Sequence, residues 1–224
     1  MQGPFDPFAT LYDSWFDTPL GGMVDLLEKD LLLRFMGPVA GQAALDVGTG
    51  TGHFALFLAG HGARVVGVDI SRAMLRVAAA KPDMPPLVQA DAAALPFADA
   101  AFDLVLSVTA LEFVPDAARA AAEMARVCRK GGRLVLGVLN AWSPWAWVRR
   151  RAARRNPSDP FAAAHFFSPP EFVRLFAPHG KIRWSSSVFI LPGGQGLRAA
   201  WLLERVGRKA LRPFGALLVG RVDV

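Results

Sequence analysis

Residues 44–54, Ala-Leu-Asp-Val-Gly-Thr-Gly-Thr-Gly-His-Phe, decide the fold of this 224-residue chain. An apolar run enters a glycine turn and leaves through residues with helical spacing, so the stretch reads as a buried strand, a tight turn and a helix start. Asp46 stands at the strand's end. Gly48, Gly50 and Gly52 strip the turn of Cβ atoms, which lets a ligand lie on bare backbone while the following helix offers unpaired N–H groups. The pattern suits a ligand with a nucleoside-like body. A tight strand–helix connection without a ligand is the plainer alternative, and dinucleotide-binding folds use a similar turn. Their fingerprint needs a third glycine three positions after the second, and after Gly48 and Gly50 that place is His53.

Arg64–Asp69 is an apolar strand ending in a carboxylate 23 residues after Asp46. A carboxylate there can accept both hydroxyls of a ribose, since its oxygens carry several lone-pair sites. Ser71 reads as the N-cap of a helix through Ala80. A third strand, Leu87–Ala90, ends at Asp91, and Phe102–Ser107 forms a fourth. Successive strand ends thus carry Asp46, Asp69 and Asp91, all on the edge where open α/β sheets bind ligands.

These segments resemble, in order and spacing over roughly residues 40–140, the class I S-adenosylmethionine-dependent methyltransferases. The likeness is to the branch with a methyltransferase type 11 domain that holds the quinone-biosynthesis C-methyltransferases and many small-molecule enzymes. Leu45–Gly52 is similar to the first motif, Val68–Ser71 with Met74 and Leu75 to the second, Ala90–Ala92 with Leu95–Phe97 to the third, and Phe102–Val105 to the fourth. Glu123–Leu134 is similar to the helix and turn before the fifth strand. The resemblance implies a Rossmann-like α/β fold: a seven-stranded, mostly parallel sheet with helices on both faces and the last strand antiparallel. It also implies S-adenosylmethionine as cofactor and S-adenosylhomocysteine as product. Gly48, Gly50 and Gly52 would underlie the methionyl and ribose portions, with Asp46 near the amino group, directly or through water. Asp69 would bind the ribose hydroxyls, Asp91 and Ala92 would read the adenine edge, and Ile70 and Met74 would supply apolar faces for the base. Ser107 and Thr109 would end the fourth strand beneath the transferable methyl. Where many relatives place a histidine pair after that strand, this chain has Thr109-Ala-Leu-Glu112-Phe113. Glu112 is a candidate base there, or a glutamate favoured by a helix start.

Flanking segments complete one expected domain over residues 1–224: an N-terminal arm and helix (1–36), a cofactor-binding core (40–140), a cap (141–167), and a C-terminal part of the same sheet (168–224). The aromatic arm around Tyr12, Trp15 and Phe16 precedes an amphipathic helix from about Met23 to Met36. In the resembling enzymes such an arm folds over the cofactor, which makes Tyr12, the sole tyrosine, a second catalytic candidate. Packing of the arm onto the sheet is the simpler alternative. Residues 182–191 read as a strand, 197–211 as a basic helix and 216–222 as the closing strand.

Charge divides the chain: residues 1–140 carry 11 Lys/Arg against 15 Asp/Glu, and residues 141–224 carry 14 against 4, which gives the net +6. The excess gathers in Arg149–Arg151 and Arg154-Arg155 after Trp142, Trp145 and Trp147. A cap with a solvated outer face is the preferred reading of 142–155. Peripheral contact with an anionic membrane comes next, and nucleic acid last, because no RNA-binding module is recognisable. No apolar run reaches the roughly 18 residues of a membrane span and no signal peptide opens the sequence, so a cytoplasmic protein is expected. One cysteine, Cys128, read as a buried helix residue, leaves no internal disulfide, and the scattered histidines give no metal spacing.

The expected activity is methyl transfer to a small apolar or aromatic acceptor by in-line displacement. Tyr12, Trp15, Thr109, Trp142 and Phe166 are the expected pocket residues. A nicotinamide-dependent oxidoreductase and a non-catalytic S-adenosylmethionine-binding regulatory protein remain the alternatives.

Overall fold

The computed structural model describes residues 3–156 and 158–224. One seven-stranded sheet runs in the order β3-β2-β1-β4-β5-β7-β6. Its strands are β1 (Ala43–Val47), β2 (Arg64–Asp69), β3 (Leu87–Gln89), β4 (Phe102–Val108), β5 (Cys128–Leu139), β6 (Lys181–Ser187) and β7 (Leu217–Asp223). The pairs among β1, β2, β3, β4 and β5 are parallel, and β7 is antiparallel to both β5 and β6. The closing strand is therefore the reversed one, as the resemblance implies. The order turns around at β1 and β4, so the crevice beyond their carboxyl ends is the natural ligand position.

Period-two alternation splits the core. Leu45, Val105 and Leu134 face the helices α4 (Ala117–Val127) and α6 (Pro169–Phe176), where Met124, Phe172 and Phe176 are fully buried. Ala44, Leu104 and Leu106 face the opposite way, against Leu32 and Met36 of α1 (Pro19–Met36) and Leu58 of α2 (His53–Gly60). Both faces of the sheet are covered, which explains why its central strands read as continuous apolar runs.

Caps set the helix starts. Ser71 opens α3 (Arg72–Ala79) by accepting from the Met74 N–H at 3.0 Å, as its sequence position predicts. α1 begins at Pro19, four residues before the expected Met23, because Thr18 accepts from the Gly21 N–H and proline fills the first helical position. A side chain at Gly21 would press within 1.9 Å of the Trp15 carbonyl, so the glycine lets the arm pack down on α1. Ser143 caps α5 (Pro144–Arg155) in the cap segment.

Three readings change. Cys128 is buried but stands at the first position of β5, one residue past the end of α4. The expected 182–191 strand stops at Ser187, where Val188 adopts φ +66° and breaks the ladder. The expected 197–211 helix is a 3-10 turn, Leu197–Ala199, continuing into α7 (Ala200–Ala210). Among the described residues no helix is long and apolar enough to cross a membrane.

Candidate active site

Two cavities open at the carboxyl edge of the sheet and share a wall. The first, about 290 Å³, lies over the glycine turn between β1 and α2 and along the ends of β2, β3 and β4. Gly48, Gly50 and Gly52 all take left-handed φ values of 75°, 54° and 81°. Gly48 is additionally pressed by Ala110, whose Cβ would stand 2.2 Å from any side chain placed there. Gly50 is different, since nothing lies within 4 Å of its Cβ direction and it forms cavity floor.

Asp69, at the end of β2, lines this cavity with its carboxylate fixed by two backbone donors, Gly50 N–H on Oδ2 and Ser71 N–H on Oδ1, each at 2.8 Å. Each oxygen keeps a lone pair for a ligand hydroxyl. Burial pushes the Asp69 carboxyl above its ordinary range, against the pull of those hydrogen bonds. Ile70, Met74, Asp91 and Ala92 complete the far wall as an apolar slot with a polar edge.

The remaining predicted cofactor residues lie behind the surface. Asp46 is 1% exposed, does not line the cavity, and accepts from the Thr49 hydroxyl at 2.6 Å; burial raises its pKa to about 7. Through Thr49 it braces the glycine turn from behind. Gly52 packs against Met84, and Ser107 is buried in β4 with its Oγ unpartnered among the described residues.

The second cavity, about 490 Å³, is bordered by the arm, α1 and α5, and shares Phe5, Tyr12, Phe16, Phe54, Thr109 and Phe113 with the first. Tyr12 therefore faces both spaces. Burial and the neighbouring Glu28 raise its pKa to about 12, so its hydroxyl stays protonated. Thr109 also faces both, held at φ +51°, a conformation that β-branched residues avoid. Trp15 lines the second cavity. Trp142 and Phe166 line neither: Trp142 is 48% exposed and tilted against Phe214, and Phe166 is buried beneath Phe161 and Arg150. Glu112 likewise lies outside both. It is 2% exposed, its Oε1 accepts from the Leu139 N–H, and burial raises it to about 7.

The sequence reading missed three polar groups. His53 lines the first cavity, bonded to Asp25 at 2.7 Å and stacked on Phe16 at 4.1 Å. Glu28 of α1 and Arg149 of α5 line the second. A signal for the last two was present, because Glu28 follows the buried Val24 by four residues and Arg149 follows the buried Trp145 by four, which sets each on an inward helix face.

The arm is clasped across this mouth. Asp6 accepts from the Ser71 hydroxyl at the start of α3, and Asp13 accepts from Thr51 Oγ1 at 2.7 Å while pairing with Lys81. Phe5 meets Phe113 edge-on at 5.0 Å.

The geometry fits S-adenosylmethionine: a side-chain-free floor at Gly50, a pre-oriented carboxylate at Asp69 for vicinal hydroxyls, and an apolar slot with a polar rim at Asp91. Residues 45–136 match the family described as "Methyltransferase domain". A demethylmenaquinone methyltransferase of Beutenbergia cavernae is 40% identical over 148 residues, 65% of this chain and 60% of that protein. An uncharacterised protein of Mycobacterium tuberculosis is 36% identical over 173 residues, 77% of this chain and 58% of its own length. The chain thus spans about three-fifths of these relatives. Among solved structures, a SAM-dependent methyltransferase of Thermotoga maritima superposes with TM-score 0.71 at 24% identity, covering 98% of this chain and 97% of that one. A methyltransferase solved in complex with the Haloferax volcanii Trm112 methyltransferase activator gives TM-score 0.71 at 23% identity, covering 100% and 99%. Motif order, sheet topology and cleft chemistry agree with these likenesses: residues 45–136 match the methyltransferase-domain family, and the chain as a whole has the fold of the S-adenosylmethionine-dependent methyltransferases.

Proposed function

We propose that this chain transfers a methyl group from S-adenosylmethionine to a small, apolar or aromatic acceptor held in the second cavity. The observation that carries the reading is the wall common to both cavities: Tyr12, Phe54, Thr109 and Phe113 border each, so a cofactor in one space meets an acceptor in the other. In the first cavity Gly48 and Gly50 would support the cofactor, Asp69 would take its hydroxyls, and Ile70, Met74, Asp91 and Ala92 would hold the base. When bound, the sulfonium supplies an already activated methyl, so alignment and exclusion of water are what the protein adds. The arm, with Phe5, Tyr12 and Phe16, and the segment 141–167, with Trp145 and Phe161, wall the second cavity and would limit water around a bound acceptor. An aromatic acceptor fits because aromatic side chains dominate the lining of that cavity.

Calorimetry with S-adenosylhomocysteine and with NAD tests the first cavity. Binding of the former and not the latter is expected, and the reverse favours a nicotinamide-dependent oxidoreductase. A labelled-methyl assay on cell extract then tests transfer. Product above an Asp69→Ala background is expected, and its absence favours a non-catalytic binder.

A second surface bears on membrane contact. Trp147 is 64% exposed with Arg151 packed 5.7 Å over its ring, and Trp142 stands exposed beside it in sequence. This outer face of the cap suits a peripheral contact with anionic lipid. Sedimentation with phosphatidylserine-containing vesicles, lost in Trp147→Ala, is the expected outcome; no sedimentation rejects it.

A further inference from the structure

Glu28 and Arg149 reach the second cavity from α1 and α5, the two helices that border it with the arm. When both are ionised they carry opposite charges in a mostly apolar and aromatic chamber, yet they do not neutralise each other by contact. Among the described residues no carboxylate oxygen lies within 4.0 Å of the Arg149 nitrogens. The guanidinium instead lies over the rings of Phe161 and Trp145, at 4.6 and 5.4 Å. Both side chains are half-buried, and their free surface faces the cavity. Ionising groups withdrawn from water without an opposite charge in contact is costly, and a ligand of matching polarity would relieve that cost.

The matching ligand has an acidic hydroxyl on an aromatic ring. Its ring meets Phe161, Trp145 and Phe113, its proton meets the Glu28 carboxylate, and the oxygen stripped of that proton meets the Arg149 guanidinium. An amine suits the chamber poorly, because methylation of nitrogen develops positive charge beside Arg149. We propose that Glu28 is the base that takes the hydroxyl proton of a phenol-like acceptor and that Arg149 holds the resulting oxyanion. This rests on the reading of the two cavities as cofactor and acceptor sites. In the step, the O–H bond breaks and the proton passes to a Glu28 oxygen. The oxygen's electron pair forms a bond to the methyl carbon, and the carbon–sulfur bond breaks with its pair left on sulfur. A neutral thioether, a methyl ether and a protonated Glu28 result, and Arg149 keeps its charge throughout.

Glu28 is faced by Asp25 and Lys29 from its own helix, Arg149 from α5, Glu112 from the 3-10 turn after β4, and Tyr12 from the arm. Burial outweighs the pull of Arg149 and sets Glu28 at about 8. The basic form therefore grows as pH rises toward and past that value, and transfer rises with it.

The test uses the full chain, Glu28→Gln and Arg149→Met, each first checked by thermal melting and by calorimetry with S-adenosylhomocysteine. Equal binding of that compound by all three proteins is expected, and failure of the unaltered protein to bind it overturns the cofactor reading itself. The probe for the acceptor site is 7-hydroxycoumarin, whose ionised form is distinguished from the neutral one by its fluorescence excitation. With S-adenosylhomocysteine present, the unaltered protein is expected to bind it ionised at a pH where the free compound is neutral. Arg149→Met loses that signal, and Arg149→Lys regains part of it. In labelled-methyl turnover of 7-hydroxycoumarin, Glu28→Gln lowers kcat about 100-fold or more and removes the rise with pH, while Glu28→Asp retains both in part. Intact S-adenosylhomocysteine binding with the coumarin unbound, bound neutral, or bound and turned over alike by all variants overturns the proposal alone.

Discussion

Asp69 is the residue whose role rests on the most complete set of contacts, since Gly50 and Ser71 orient both its oxygens before any ligand arrives. Hydrogen bonds to a charged group contribute about 1.5–3 kcal/mol. Asp69→Ala is therefore expected to weaken S-adenosylhomocysteine binding about 10- to 100-fold, read by calorimetry, and unchanged affinity would remove Asp69 from the site. Thr109 makes the opposite trade. Its left-handed backbone is stored strain of about 1–3 kcal/mol beside both cavities. Asn tolerates that conformation, so Thr109→Asn is expected to raise the melting temperature while lowering methyl transfer; a lower melting temperature would show that Thr109 is not strained. Asp69, Gly50 and Asp91 were legible in the sequence because each sits at or just past a strand end, and one crossover after another brings those ends to one rim. Asp46 occupies a similar sequence position but its side chain turns inward to Thr49, a choice of pleat side that the motif does not encode.

At the scale of elements, helices and strands followed from caps and periodicity, while their inward faces beyond the sheet did not. The Arg149–Arg151 run reads as part of a cap with a solvated outer face, and which arginine turns inward is not written in the run: α5 turns Arg149 toward the cavity and leaves Arg151 outside. Which arginine enters is fixed by Trp145, whose indole N–H donates to the Ile190 carbonyl at 2.8 Å and sets the rotation of the helix. Trp142 precedes the Ser143 cap and so escapes that rotation, which is why counting aromatics assigned it to the pocket wrongly. The arm depends on its clasps rather than on a core, since neither of its 3-10 turns contains a buried residue. Asp13→Ala removes the acceptor for Thr51 and the partner of Lys81. Chymotrypsin, whose aromatic targets crowd the arm, is expected to cut there several-fold faster in that variant while α1 survives; equal cutting rates would show the clasp to be idle.

The whole molecule carries a distinctive pH balance. Asp46, Glu112 and Glu28 are lifted by burial to about 7, 7 and 8, from ordinary values of 3.8, 4.5 and 4.5. Between those limits the native state holds protons that the unfolded chain has released, so stability falls as pH rises through the interval. Asp25, Asp30, Glu123 and Asp223 are instead held low by Arg, Lys or His partners against the cost of burial, and their stabilisation is lost as pH falls through the acid range. Glu112→Gln keeps an acceptor for Leu139 and removes one of the lifted carboxyls. By that linkage its melting temperature is expected to exceed that of the unaltered protein most at about pH 8.5 and not at all at about pH 4; the reverse trend would place Glu112 among the stabilising carboxylates. The mostly parallel sheet and its reversed closing strand were legible through the motif order the chain shares with the resembling enzymes, whereas the second cavity is assembled from segments more than a hundred residues apart. On the proposed assignment of the two spaces, Phe5, Tyr12 and Phe16 of the arm border both, so a nucleoside tenant in the first would brace the wall of the acceptor's berth. Turnover should then run as a compulsory queue, with the thioether last to depart, and product-inhibition kinetics would reveal a random queue at once.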